Sequence, residues 1–350
     1  MVNLNFSHGG NLREAEKKYG RCLIDFSANI NPLKMPTGLK KKLFDNFSGL
    51  VNYPDPDSTE ITRKIAEHWG VKSANILVGN GSAELIYFIV NAYQPRTAVI
   101  PVPTFSEYER ALILAKTDIS FLTLKEKNKF CLDISKIEKK PDIFFVCNPN
   151  NPTGNLLIEN RENIGIKPNK LLVIDEAFMD FLPDQKEHTF ALEVVKNKKI
   201  IVLRSFTKFF ALPGLRIGYM LAHEDVIKKI RRYKFPWNVN SLAQIAGAAV
   251  LSDNEYIFKT CELIEKERKF LLKKLSRINT LKCFPAAANF ILIKIIADGY
   301  SAESLKTKLA AGGVLIRSGG NFRALSDKYI RVAVRARREN IKLIDALSQI

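Results

Sequence analysis

Two hydroxyls, a lysine and an arginine follow one apolar run in an order that suits chemistry at a carbonyl. Residues 200–203 lead into Arg204-Ser205-Phe206-Thr207-Lys208, and Pro213-Gly214-Leu215-Arg216-Ile217-Gly218 comes next. A lysine delivered from the end of a buried strand can condense with an aldehyde, while Ser205, Thr207 and the planar fork of Arg216 can receive a phosphate. Together they suit an anionic aldehyde cofactor. A lysine after a strand can equally be a solvated surface group, so the rest of the chain has to decide. Asp175 closes the apolar run 171–174, where an acid is costly to bury without a cationic partner. The Asn148-Pro149-Asn150-Asn151-Pro152-Thr153-Gly154 segment closes another such run, 143–147.

Other residues fit the same chemistry, each with a plainer structural reading beside it. Gly79-Asn80-Gly81 turns into Ser82-Ala83-Glu84, the start of an apolar helix. Unpaired N–H groups at such a start bind phosphate, although no Gly-Lys-Ser/Thr follows and the turn is not a P-loop. Phe105, at the end of run 97–102, could lie on a heteroaromatic ring or pack in the core. His8-Gly9-Gly10-Asn11 and the Asn-rich stretch 25–32 can face a ligand or simply turn. Arg317 and Arg331 each interrupt an apolar strand pattern, and as a pair they favour a doubly anionic substrate over two edge arginines.

These residues require elements that bring them to one place. Apolar runs at 75–78, 97–102, 119–124, 143–147, 171–174 and 200–203 alternate with helical or loop spacers, which predicts a mainly parallel sheet with helices on both faces. Such sheets bind ligands beyond the carboxyl ends of their strands, where the polar segments fall. From 217–222 onward the pattern changes to a long helix at 254–275 and short strands at 281–284, 290–294, 314–318 and 329–334. Residues 1–36 read as an irregular arm, and residues 235–252 as a buried or amphipathic helix.

The formal net charge of +18, from 54 Lys+Arg against 36 Asp+Glu, is high but dispersed. No basic cluster interleaves with aromatics, which argues against nucleic acid as a partner. Five widely spaced cysteines offer neither a metal motif nor a disulfide framework and fit a cytoplasmic protein. A polar stretch at 1–18 is not a secretory signal, and no run reads as a membrane span.

The ordered set Asn151-Pro152-Thr153-Gly154, Asp175-Glu176-Ala177, Ser205-x-x-Lys208 and Arg216 resembles the fold-type I pyridoxal-phosphate enzymes, the aspartate aminotransferase superfamily, over essentially the whole chain. Within it the sequence is similar to histidinol-phosphate aminotransferases. It is more similar to the threonine-phosphate decarboxylases of cobalamin biosynthesis, through the His8 and 25–32 segments, Asp175-Glu176-Ala177-Phe178 and Pro236-Trp237-x-Val239-Asn240. The resemblance implies an α/β fold with a large domain at 37–237 built on a mostly parallel seven-stranded sheet. A smaller α+β domain at 238–350, joined by the arm 1–36, would complete it.

The same resemblance implies that Lys208 carries pyridoxal 5′-phosphate as a Schiff base, Asp175 meets the pyridine nitrogen and Asn151 meets the ring hydroxyl. Gly81, Ser82, Ala83, Ser205, Thr207 and Arg216 would hold the cofactor phosphate, Phe105 would stack on the ring, and Tyr53 would reach in from the other subunit of a homodimer. Phe178 replaces a tyrosine that many of these enzymes direct at the ring hydroxyl. Arg331 would fork onto the substrate α-carboxylate, with Arg317, Asn151, Asn29 and His8 toward a substrate phosphate. The implied reaction is decarboxylation of L-threonine O-3-phosphate to (R)-1-amino-2-propanol O-2-phosphate and CO2. Transamination of histidinol phosphate with 2-oxoglutarate is its rival, and a non-catalytic basic binding protein on the same fold is a third reading.

Overall fold

Near-continuous Val, Ile, Leu and Phe runs, bounded by turn residues, form strands buried on both faces. The computed structural model describes residues 8–133, 135, 140–159 and 169–350, so the first seven residues of the polar amino-terminal stretch lie outside the described residues. In chain order the first eight strands are β1 (Ile24–Asp25), β2 (Ile76–Gly79), β3 (Thr97–Val102), β4 (Asp118–Thr123), β5 (Ile143–Cys147), β6 (Leu171–Asp175), β7 (Ile200–Ser205) and β8 (Gly218–Ala222). Then come β9 (Leu281–Cys283), β10 (Phe290–Ile295), β11 (Val314–Leu315), β12 (Arg317–Ser318) and β13 (Tyr329–Ala333).

The expected seven-stranded sheet is present, in the order β2-β8-β7-β6-β5-β3-β4. Only β8 runs antiparallel to its neighbours. Every residue of β5, β6 and β7 is buried, with one apolar cluster on each face of the sheet. A leucine, isoleucine, valine or phenylalanine buried there stabilises by about 1.5–3 kcal/mol, so these strands anchor the frame. Their carboxyl ends lie in register: Cys147 pairs with Asp175, Asp175 with Leu203, and Ser205 with Gly218.

A four-stranded antiparallel sheet, β12-β13-β10-β9, forms the second layer system, and the helix Asn254–Leu275 runs between the two regions of sequence. Three expectations need correction. The arm is not irregular: it holds the helix Leu12–Tyr19, closed by Gly20 at φ 62°, and β1, which pairs in parallel with β11. The predicted single strand at 314–318 is two strands in different sheets, split at Ile316. The helix expected at 235–252 spans only Ser241–Val250, because the Asn240 side chain accepts from the Ala243 N–H at 2.8 Å and caps it there.

Candidate active site

The strand ends deliver the polar residues to one cavity of about 630 Å³, lined by Lys208, Asn151, Phe105, Phe178, Arg216, Arg317, Arg331, Asn29 and His8, with a deeper recess of about 90 Å³ at Asp175 and Ser205. Strand alternation decides which side chains reach it. Asp175 and Ser205 face the cavity, whereas their neighbours Glu176 and Arg204 turn to the other face and form a fully buried ion pair, Arg204 Nε to Glu176 Oε2 at 2.9 Å. Arg204 also donates to Asp180 and Thr189 and lies over the Trp69 ring. This network ties the ends of β6 and β7 together behind the site.

Asp175 is buried, and its carboxylate accepts from the Ala177 N–H at 3.0 Å and from the Tyr108 hydroxyl at 2.6 Å. Burial pushes its pKa up, while Tyr108, Ala177 and the Lys208 charge oppose that rise. Lys208 is pressed down to about 8 by burial; Asp175 pulls it back up and Arg216 pushes it further down. An amine near neutrality can lose its proton and act as a nucleophile or base. The Lys208 Nζ stands 6.0 Å from the centre of the Phe178 ring, so an apolar wall flanks it.

The helix Gly81–Tyr93 begins in the same recess as Arg216 and the Ser205 and Thr207 hydroxyls, which are 2.7 Å apart. Two glycines allow this approach. A Cβ on Gly218 would meet the Ser82 nitrogen at 2.6 Å, and one on Gly81, at φ 78°, would meet Arg216 Nη2 at 2.6 Å. Unpaired N–H groups, two hydroxyls and a guanidinium make an anion cradle. A buried acid at the far end, an amine of depressed pKa between them, and the Phe105 and Phe178 rings on the walls match the chemistry of a phosphorylated aromatic aldehyde. The donor set therefore fits pyridoxal 5′-phosphate.

The arginines form the opposite wall. Arg317 and Arg331 are directly paired residues of antiparallel β12 and β13, so both side chains leave the sheet on the same face. Arg331 donates to Asn151 Oδ1 and to the Ser27 carbonyl, and its buried Nε has no hydrogen-bond partner among the described residues. Burial and the Arg317 charge hold its pKa below the usual guanidinium range. Arg317 donates to Asn321 Oδ1 at 2.7 Å. Buried Asn29 Oδ1 is likewise unpartnered. Two cations set side by side at a cavity repel each other until an anion arrives.

Of the residues singled out in the sequence, Tyr53 alone lies away from these cavities: it is exposed and stacked on Trp237, ring centres 4.6 Å apart. Sequence reading missed Tyr108, Glu107, Tyr87 and the Arg204–Glu176 pair. Tyr108 and Glu107 directly follow the Phe105 segment, but their partners are 67 and 99 residues away in sequence. Only the unusual cost of burying Asp175 hinted that a donor such as Tyr108 must exist. Among the described residues no cluster of His, Cys, Asp or Glu could hold a metal ion, and no helix is long and apolar enough to cross a membrane.

Comparison with known proteins follows the same lines. The family model for aminotransferase class I and II matches residues 21–349. The chain is 37% identical to threonine-phosphate decarboxylase of Salmonella typhimurium, covering 100% of this chain and 98% of that protein. Among solved structures it is similar to histidinol-phosphate aminotransferase from Clostridium acetobutylicum, with TM-score 0.84 and 32% identity over 93% of this chain and 98% of that one. It is also similar to L-threonine-O-3-phosphate decarboxylase from Porphyromonas gingivalis, with TM-score 0.83 and 27% identity over 93% and 98% of the two chains.

Proposed function

The chain belongs to the aminotransferase class I and II family, and from that premise we propose that it uses pyridoxal 5′-phosphate to decarboxylate L-threonine O-3-phosphate. The products are (R)-1-amino-2-propanol O-2-phosphate and CO2, a step of cobalamin biosynthesis. One observation carries the substrate class: paired Arg317 and Arg331, with His8 beside them, line the cavity that also holds Lys208. Such a wall suits a molecule with two anionic groups and an amine. Full-length likeness to threonine-phosphate decarboxylases supports the choice of reaction.

Lys208 would hold the cofactor, with Asp175 toward its ring nitrogen and Asn151 toward its ring hydroxyl. Gly81, Ser82, Ala83, Ser205, Thr207 and Arg216 would hold its phosphate, with Phe105 stacked on the ring and Phe178 where a tyrosine would otherwise meet the ring hydroxyl. When bound, pyridoxal phosphate supplies an electron-withdrawing ring that takes up the electron pair left at the substrate Cα. The protein does the rest by position. Asp175, whose carboxylate accepts from the Tyr108 hydroxyl and the Ala177 N–H, would stabilise a proton on the ring nitrogen. Arg331, with the order imposed by Asn151 and Ser27, fixes the α-carboxylate, and so determines which bond at Cα is set for cleavage. Lys208 Nζ is the nearby amine able to give a proton to Cα once CO2 has left.

A second copy of the chain completes the site in this reading. Phe44, Phe47, Val51, Tyr53, Phe235 and Trp237 are large and exposed, an apolar area that suits burial in a homodimer with Tyr53 reaching the neighbouring cofactor phosphate. The protein would act in the cytoplasm.

The likeness to histidinol-phosphate aminotransferases favours a second reading, transamination at the same cavity. Incubating the cofactor-loaded protein with threonine phosphate alone, and separately with histidinol phosphate plus 2-oxoglutarate, separates them. CO2 from the first mixture and no glutamate from the second is the expected result. Glutamate without CO2 would replace the proposal with the aminotransferase.

A further inference from the structure

A buried carboxylate at the cavity mouth holds the amino-terminal arm. Glu107, the first residue of the helix Glu107–Leu114, is buried and meets His8 Nε2 through Oε1 at 2.8 Å. Its Oε2 accepts from the Tyr87 hydroxyl at 2.6 Å, and Arg110 Nη1 lies 3.7 Å from Oε1. The His8 ring is tilted against Phe105, centres 5.6 Å apart, and lines the same cavity as Arg317. Gly10 N–H donates to Ser27 Oγ at 2.9 Å, which fixes the arm next to the histidine.

We infer that Glu107 is a positioning residue that makes His8 a donor to the substrate phosphate. A carboxylate acceptor requires a hydrogen on Nε2. In the neutral ring this leaves Nδ1 with a lone pair, which a phosphate repels. In the cationic ring Nδ1 also carries a hydrogen and donates to the anion, while Glu107 balances the added charge. The Tyr87 hydroxyl fixes the second oxygen, so the carboxylate cannot rotate away from His8. Burial works against the charge on Glu107, but the bonds from His8 and Tyr87 outweigh it and hold its pKa below the usual range. The result is a chain of contacts, Tyr87 to Glu107 to His8, that aims one donor at the side of the cavity shared with Arg317. It selects for phosphorylated amino acids.

This rests on the proposed phosphorylated substrate, and the test separates the two. In the holoenzyme, with the cofactor phosphate site filled, Glu107→Gln keeps the shape and removes the charge. The KM for threonine phosphate is expected to rise about tenfold with kcat largely kept, and affinity for inorganic phosphate, by calorimetry, to fall by a similar factor. In the His8→Ala background the same substitution should add nothing. Glu107→Asp, which keeps the charge but loses the reach, should move KM in the same direction. Unchanged phosphate affinity in Glu107→Gln, or an equal loss in the His8→Ala background, would overturn the assignment. The phosphate measurement decides for Glu107 even if the wild-type protein fails to release CO2, a failure that would count against the proposed reaction instead.

Discussion

Removing one hydroxyl behind the site tests how the buried acid is held against the cost of burial. Tyr108 is fully buried, its ring stacks on Phe145 with centres 5.1 Å apart and planes 10° from parallel, and its hydroxyl reaches Asp175 Oδ2 at 2.6 Å. Tyr108→Phe preserves the ring and its stack, so the perturbation is confined to what the hydroxyl touches, Asp175 and the Cys147 thiol. A bond to a buried charged group contributes about 1.5–3 kcal/mol, and here the carboxylate would keep only the Ala177 N–H. Urea unfolding of the cofactor-free variant at neutral pH should therefore show a midpoint shift worth about 2 kcal/mol with unchanged slope. Because the donor also holds the Asp175 pKa down against burial, cofactor affinity should fall, by about tenfold if most of that energy reaches the ring nitrogen. A Tyr108→Phe variant with wild-type unfolding and wild-type cofactor affinity would refute the claim that this hydroxyl tunes Asp175.

Three other outcomes follow from the same geometry. In the cofactor-free protein the folded-state pKa of Lys208, about 8, lies below its ordinary 10.5, so the unfolded chain binds more protons between these values and stability should rise with pH across that window. The gain, roughly 3 kcal/mol over the full window, should be absent in Lys208→Ala, which should also lose CO2 release; pH-dependent urea unfolding reads the first and a CO2 trap the second. Arg331→Leu removes one of two facing cations, so the cofactor-free protein should be as stable as wild type or more so, while the substrate KM rises at least a hundredfold; thermal unfolding and steady-state kinetics measure the two. Arg204→Met leaves Glu176 charged and buried without its partner, which should cost about 3–5 kcal/mol in denaturant unfolding.

Much of the large sheet was legible because its strands are buried on both faces. Residues 143–147 and 97–102 match β5 and β3 to the residue, since a strand covered on both sides has no polar alternation to blur its ends. The arm was harder: the helix Leu12–Tyr19 buries none of its residues, so no apolar stripe marked it. The split at Ile316 depends on which distant strand each half pairs with, β1 for one and β13 for the other, and no local pattern encodes that choice. Lys208, Asp175, Ser205 and Asn151 could be found because each sits just after an apolar run. The supporting residues could not. Tyr108, Glu107 and Arg204 act through partners brought near by the sheet order, and in sequence they look like ordinary helix or strand residues.

In the proposed reaction the cavity breaks the bond from Cα to the carboxylate and leaves the Cα hydrogen in place. Threonine phosphate deuterated at Cα, incubated with the cofactor-loaded protein in ordinary water without any keto acid, tests this directly. CO2 is expected, with an aminopropanol phosphate that keeps the deuterium at the former Cα, beside one hydrogen taken from solvent. Loss of the deuterium to water without CO2 would show that the Cα–H bond is the one broken, and would contradict that reaction.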